Sequence, residues 1–278
     1  MRSVRLPDGT EVAALGQGTW HMGEHRGRRA AEADALRLGL DLGMSLIDTA
    51  EMYAEGGAEE VVGDAVAGRR AEAFIVSKVY PHNASRRGVA EACARSLRRM
   101  RIERIDLYLL HWRGRFPLAE TVAGFEDLRA AGQIGAWGVS NLDAAELEEL
   151  RGVPDGANCA TDQVLYNPQA RGIEFDLLPW CARHAMPVMA YSPVGQGGAL
   201  LRAPSLAAIA RRHGATPAQV AVAWSLRHPG VIAIPKSADP AHVRENAAAG
   251  ALKLTEADFA EIDAAFPPPK RKQSLGML

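Results

Sequence analysis

Short apolar runs rich in β-branched residues alternate with amphipathic stretches along almost the whole chain. The runs fall at residues 15–18, 46–48, 73–77, 105–110, 136–139, 161–165, 188–191 and 231–234, and they predict eight strands. Between them apolar positions recur with a period near 3.6. This predicts helices over about 29–42, 58–67, 86–100, 118–131, 143–150, 173–184, 205–228 and 240–248, with a last one near 256–265. Start signals mark several of these. Thr216-Pro217-Ala218-Gln219 sets a capping residue before proline and completes a capping box; Asp239-Pro240 repeats the cap, and Thr255 with Asp258 gives a related cap-plus-acid pattern.

Alternation of strand and helix predicts a parallel sheet covered by helices, and eight repeats suit a closed (β/α)8 TIM barrel, an α/β fold. Ahead of it, residues 4–6 and 11–13 flank Pro7-Asp8-Gly9 and predict an N-terminal β-hairpin. An open doubly wound sheet is disfavoured. The nearest glycine-rich turn, Gly16-Gln17-Gly18, runs into Thr19-Trp20-His21 and lacks the third glycine of the dinucleotide fingerprint. With 278 residues and no repeat or low-complexity linker, a single domain over 1–278 is expected. The tail from Pro267-Pro268-Pro269 cannot continue a helix and is expected to cross the surface.

Composition then narrows the class. At 47% hydrophobic and 23% charged residues, the chain is ordinary for a globular protein. A net charge of -1 offers no overall field for nucleic acid or an anionic membrane. The densest basic run, Arg98, Arg99, Arg101 and Arg104, reads as a solvated helix end. Cys93, Cys159 and Cys181 are scattered and form no CxxC pair, which points to a reducing, cytoplasmic setting. No apolar stretch reaches the roughly 18 residues of a membrane span, and the first residues lack a secretory apolar core. Neither nucleic acid nor membrane is expected as a partner.

In a barrel, reactive groups gather at the C-terminal ends of the strands. That filter selects Asp48, Lys78 and His111, with Tyr53 in the loop just beyond Asp48. A free tyrosine, with a pKa near 10, is a poor acid at neutral pH. A lysine ammonium about 4 Å away, in an effective dielectric near 20, attracts a phenolate by roughly 4 kcal/mol. At about 1.4 kcal/mol per pKa unit, this predicts a Tyr53 lowered by up to about two or three units. Asp48 would keep Lys78 charged, and His111 would hold a carbonyl oxygen near Tyr53. The alternative is a structural Asp–Lys pair beside a packed tyrosine and histidine.

Two further groups point to a cofactor. Ser140, Asn141 and Gln163 end their strands and can hydrogen-bond a flat carboxamide, while Tyr191 can stack on its ring. Ser140-Asn141 can equally be a helix cap. Ile234-Pro235-Lys236-Ser237 with the helix start at Pro240 matches the phosphate site that barrels build after their last strands. The glycines between Ser192 and Leu201 can fold over a pyrophosphate.

Taken in order, Gly18-Thr19-Trp20, Leu46-Ile47-Asp48-Thr49-Ala50 with Tyr53, Ser77-Lys78, Leu109-Leu110-His111-Trp112, Gly138-Val139-Ser140-Asn141, Gln163, Tyr191-Ser192-Pro193 and Ile234-Pro235-Lys236-Ser237 carry a family pattern. The chain resembles the aldo-keto reductases over essentially its whole length, and most of all short bacterial members that reduce methylglyoxal. The resemblance implies reduction of small aldehydes and ketones, with Tyr53 as proton donor in a catalytic tetrad with Asp48, Lys78 and His111. It implies NADPH as the cofactor, with NADH as second choice, and no metal. Gly18, Thr19 and Ser192 join the implied cofactor set. Ser140, Asn141 and Gln163 would meet the carboxamide, Tyr191 the nicotinamide ring, Lys236 and Ser237 the adenosine 2′-phosphate, and Glu245 and Asn246 the adenine. Trp20 and Trp112 would line the substrate pocket, the alternative being rim or core packing.

The chain departs from the pattern in places. His242 stands where the family often has an arginine for the 2′-phosphate. Arg244 is the candidate substitute, although two positions on a helix point it roughly the other way. Glu51 and the Gly56-Gly57 pair lengthen the segment after Tyr53 and leave the tetrad untouched, and a short tail implies an open pocket that discriminates little among small carbonyls. Two rival classes fit less well. A metal-dependent hydrolase needs several ligands at strand ends, and only His111 and Asp48 qualify, beside a repelling Lys78. An NADPH-binding regulatory module of the same fold, with little turnover, is the alternative function. The sequence does not set the oligomeric state, and a monomer is compatible with it.

Overall fold

The computed structural model describes residues 2–278. Ser3–Arg5 (β1) and Glu11–Ala13 (β2) form the expected antiparallel hairpin, with Val4 opposite Val12. Asp8 Oδ1 accepts the Thr10 N–H at 2.9 Å inside the turn. Eight strands follow: Gln17–Gly18 (β3), Leu46–Asp48 (β4), Phe74–Val79 (β5), Ile105–Leu110 (β6), Ile134–Ser140 (β7), Asp162–Leu165 (β8), Val188–Tyr191 (β9) and Val231–Ala233 (β10). Each pairs in parallel with the next. Parallel bridges Leu15↔Ala233 and Gly18↔Lys236 join the first barrel strand to the last. Glycine at 18 eases this closure, because a Cβ there would lie only 3.0 Å from the Ile234 carbonyl oxygen.

The helices are Arg29–Asp41 (α1), Gly57–Val66 (α2), Arg86–Met100 (α3), Leu118–Ala130 (α4), Ala144–Arg151 (α5), Leu177–Arg183 (α6), Pro204–His213 (α7), Pro217–Ser225 (α8), Pro240–Ala249 (α9) and Glu256–Ala265 (α10). Thr216, Asp239 and Thr255 cap α8, α9 and α10 as their sequence signals indicated. The single helical stretch expected over 205–228 is two helices. Gly214 adopts φ 59 and ends α7, and Thr216 starts α8 afresh. Residues Gly172–Glu174 form a separate short turn ahead of α6.

Both faces of the strands are buried, which is why they read as continuous apolar runs. Inside the barrel, Leu46, Val76, Leu107, Leu109 and Met189 pack with Val4, Leu6 and Val12 of the hairpin, which plugs the N-terminal mouth. Outside it, Ile47, Ile75, Tyr108, Trp137 and Val164 meet the apolar faces of the helices. Each fully buried side chain of this size contributes roughly 1.5–3 kcal/mol of transfer free energy. With one mouth filled, chemistry is confined to the other. The basic run 98–104 is not simply solvated: Arg99 donates through Nε to Glu59 Oε2 at 2.6 Å, and Glu59 is fully buried beside Ser77 Oγ, also at 2.6 Å.

Candidate active site

Parallel strands deliver their last residues to one rim, and there β4 places Asp48, β5 places Lys78, and the residue after β6 is His111. Tyr53 follows β4 in a short turn, Tyr53–Gly56, where Ala54 and Glu55 take φ 50 and 51 and Gly56 takes φ 92. Left-handed backbone costs about 1–2 kcal/mol at each non-glycine position, a cost that the surrounding packing must hold.

The four side chains meet. Lys78 is wholly buried, and its Nζ donates to Asp48 Oδ2 at 2.8 Å, to the Thr49 carbonyl at 2.9 Å and to Tyr53 Oη at 3.2 Å. The His111 ring stands edge-on to Tyr53 with centroids 5.8 Å apart, and its Nδ1 has no partner. Burial, reinforced by the nearby Lys78 charge, pushes the His111 pKa down to about 2, so its imidazole is neutral at working pH. Burial works to lower the Lys78 pKa, but Asp48 and Tyr53 outweigh it and hold the ammonium charged.

Tyr53 corrects an expectation. Its pKa is raised above the ordinary tyrosine value: burial pushes it up, and the pull of Lys78 is offset further by the Asp48 carboxylate. The lysine is as close as the sequence reading required, but its charge is already shared with Asp48. Tyr53 is therefore a fully protonated phenol at neutral pH.

The amide groups join the same network. Gln163 Nε2 donates to Asp48 Oδ1 at 2.8 Å, leaving its carbonyl oxygen free of that bond. Asn141 takes φ 60 and donates through Nδ2 to the His111 carbonyl at 3.1 Å, while its Oδ1 accepts from Tyr191 Oη at 3.0 Å. Ser140 Oγ donates to the Gln163 backbone carbonyl at 2.7 Å. Neither Ser140 nor Asn141 caps α5. Asp143 does so, accepting the Ala145 and Glu146 N–H groups at 2.9 and 3.0 Å.

Above these residues opens a cleft of about 930 Å³. Asp48, Tyr53 and His111 lie at its floor, and Trp20 and Trp112 are in its wall. Gly18, Thr19, Ser140, Asn141, Gln163, Tyr191 and Ser192 line it as well, and Lys236, Ser237, Glu245 and Asn246 follow towards one end. Lys78 does not line the cleft and touches it through Tyr53 and Asp48. Arg244 is exposed and lies outside the cleft, whereas His242 lines it. The sequence reading missed Met52 and the start of α8, Thr216-Pro217-Ala218, which also border the cleft. It missed the tail too. Lys272 Nζ lies 3.3 Å from both Asp143 and Asp176, and Met277 and Leu278 reach the cleft wall, so the mouth is more covered than a short tail implied.

Among the described residues, no group of three His, Cys, Asp or Glu side chains is arranged to hold a metal ion, and no helix is long and apolar enough to cross a membrane. A proton-donating phenol, a neutral imidazole, side-chain amides and a cationic end in one cleft are the equipment of a cofactor-dependent carbonyl oxidoreductase.

The model of the aldo/keto reductase family matches residues 14–266, and the chain belongs to that family. It is an oxidoreductase with the family's (β/α)8 fold. Among its relatives, methylglyoxal reductase YeaE of Escherichia coli is 51% identical over 100% of this chain and 99% of its own. Glyoxal reductase of Bacillus subtilis is 34% identical over 94% of this chain and 92% of its own. An aldo-keto reductase of Klebsiella pneumoniae, crystallised in complex with NADPH, superposes with a TM-score of 0.98 at 50% identity, over 100% of this chain and 99% of its own.

Proposed function

We propose that this chain reduces small aldehydes and ketones with NADPH, with methylglyoxal-like dicarbonyls among its substrates. Its full-length similarity to methylglyoxal reductase and to an NADPH-bound reductase supports the substrate class and the cofactor. The observation that carries the mechanism is the 3.2 Å contact of Lys78 with a protonated Tyr53 beside a neutral His111. Bound NADPH supplies the hydride that reaches the carbonyl carbon. The neutral His111 imidazole and the Tyr53 hydroxyl hold the carbonyl oxygen, and Tyr53 gives it the proton that completes the alcohol. Lys78 and Asp48 act through Tyr53: the ammonium steadies the phenolate at the moment it forms, which is when stabilisation accelerates a reaction.

For the cofactor, the free Gln163 carbonyl, Ser140 and Asn141 suit a carboxamide, and the Tyr191 ring suits the nicotinamide. Gly18, Thr19 and Ser192 border it, Lys236 and Ser237 suit the 2′-phosphate, and Glu245 and Asn246 suit the adenine. Trp20 and Trp112, with Met52 and Met277, give the carbonyl an apolar entrance. The protein is read as one cytoplasmic domain in which a monomer suffices, since all of these groups come from one chain. No observation favours the regulatory alternative. Tyr53→Phe tests the reading: NADPH binding, followed by fluorescence, is kept, while carbonyl reduction falls about 10²- to 10⁴-fold. Unchanged turnover would overturn it.

A further inference from the structure

Glu51 lies between Asp48 and Tyr53 in the loop that carries the phenol. It is only 6% exposed, yet it lines no part of the cleft. A buried carboxylate has to be paired or hydrogen-bonded, and its partners show what it holds. Oε1 accepts the Tyr80 N–H at 2.8 Å and Asn83 Nδ2 at 3.0 Å, both from the loop after β5. Oε2 lies 3.4 Å from the partly exposed guanidinium of Arg95 on α3, a longer contact. The Glu51 N–H donates to the Lys78 carbonyl at 3.3 Å. Backbone and side chain of one residue therefore grip the end of β5 on either side of Val79.

That grip spans the two groups whose distance matters. Tyr53 follows β4 and Lys78 belongs to β5, and the ladder between these strands stops with Asp48 opposite Val76. Among the described residues, Glu51 is the nearest one ahead of Tyr53 that bonds to β5 or to the loop after it. Directly beyond Tyr53 the backbone is left-handed, with φ 50 at Ala54 and 51 at Glu55, so local preference does not hold the turn in place.

We propose that Glu51 is a positioning residue for Tyr53: its carboxylate clamps the loop after β4 to the loop after β5 and so fixes the phenol on Lys78. The inference rests on the mechanism proposed above. Tyr80, Asn83 and Arg95 line no part of the cleft either, so the clamp reaches the substrate through Tyr53. A reacting group misplaced by about 1 Å loses on the order of 10²-fold in rate, and the clamp prevents such a displacement. The Tyr80 ring also stands edge-on to Trp112 with centroids 6.0 Å apart, a second route from the clamp to the substrate wall that the test separates from the first.

The test is steady-state reduction of methylglyoxal with NADPH, together with NADPH titration by fluorescence, for Glu51→Ala, Glu51→Gln and Asn83→Ala, each alone and combined with Tyr53→Phe. Glu51→Ala is expected to lower kcat about ten- to a hundred-fold, with KM and the NADPH dissociation constant within about three-fold of wild type. Unaltered NADPH binding doubles as the control for folding. Glu51→Gln keeps an oxygen for the Tyr80 N–H and for Asn83, so it recovers most of the rate. Asn83→Ala removes one donor and no backbone bond, and it lowers kcat in the same direction by less. In the Tyr53→Phe background Glu51→Ala costs less than about two-fold, because no proton donor is left to place. If Glu51→Ala does not fold, Asn83→Ala carries the same comparison in both backgrounds. An unchanged kcat, a rise in KM alone, a Glu51→Gln as slow as Glu51→Ala, or an equal fall with and without the Tyr53 hydroxyl overturns the role of Glu51 and leaves that of Tyr53 standing. Undiminished turnover in Tyr53→Phe overturns both.

Discussion

Carbonyl reduction by this enzyme is expected to hold level from pH 6 to about 9 and to fall only as the pH passes the ordinary tyrosine range. Lys78 Nζ lies 3.2 Å from Tyr53 Oη, and taken alone that ammonium would favour a phenolate by several kcal/mol. A phenol lowered by two to three units would be mostly ionised at pH 9, and about thirty-fold of the rate would be gone there. Two features of the site remove that expectation. Burial of the hydroxyl disfavours the phenolate, and Asp48, 2.8 Å from the same ammonium, spends much of its field and adds a negative charge of its own. The net shift is upward. An acid with a raised pKa keeps its proton to higher pH, so the donor form is complete throughout the neutral range. The assay is kcat/KM for a small carbonyl at saturating NADPH between pH 6 and 10.5. A fall of ten-fold or more between pH 7 and 9 would show that Lys78 outweighs burial and would refute this account.

Two predictions concern stability. Asp162 is fully buried with no partner for its carboxylate beyond the nearby Leu142 N–H, and burial outweighs that N–H and raises its pKa well above the usual range. The folded protein then holds a proton that the unfolded chain releases above about pH 4, so stability falls by about 1.4 kcal/mol for each pH unit inside that window. Asp162→Asn cannot ionise. Its advantage over wild type in urea denaturation should widen steadily from pH 4.5 upward, and parallel curves would count against the argument. Arg99→Met strands the buried Glu59 carboxylate with only Ser77 as partner and should cost about 3–5 kcal/mol. Glu59→Gln in the same background should recover part of that loss in a double-mutant cycle.

Much of the site is legible in the sequence. Asp48, Lys78 and His111 sit at strand ends, a property of position along the chain, and the barrel rule converts that position into a common rim. Arg244 could not be placed so simply, because the face of α9 that meets the cleft is set by the packing of Val243 and Asn246, both buried. The roles of Ser140 and Asn141 stayed ambiguous for a related reason. A polar residue at a strand end caps a helix only when the chain turns at once, and here it runs on to Asp143. The tail has no periodic pattern to read, and its path depends on Lys272 meeting Asp143 and Asp176.

What the sequence by itself determined was the alternation of elements and the chemical types at their ends, because strands buried on both faces must be apolar throughout and helices must show one apolar stripe. What only the tertiary structure decided was everything that depends on closure and enclosure. Joining β3 to β10 brought Gly18 beside Lys236 at the rim of the cleft, and enclosing Tyr53 with Asp48 reversed the direction in which its acidity was expected to move. Proton affinity is a property of surroundings, and those surroundings exist only once distant segments have packed.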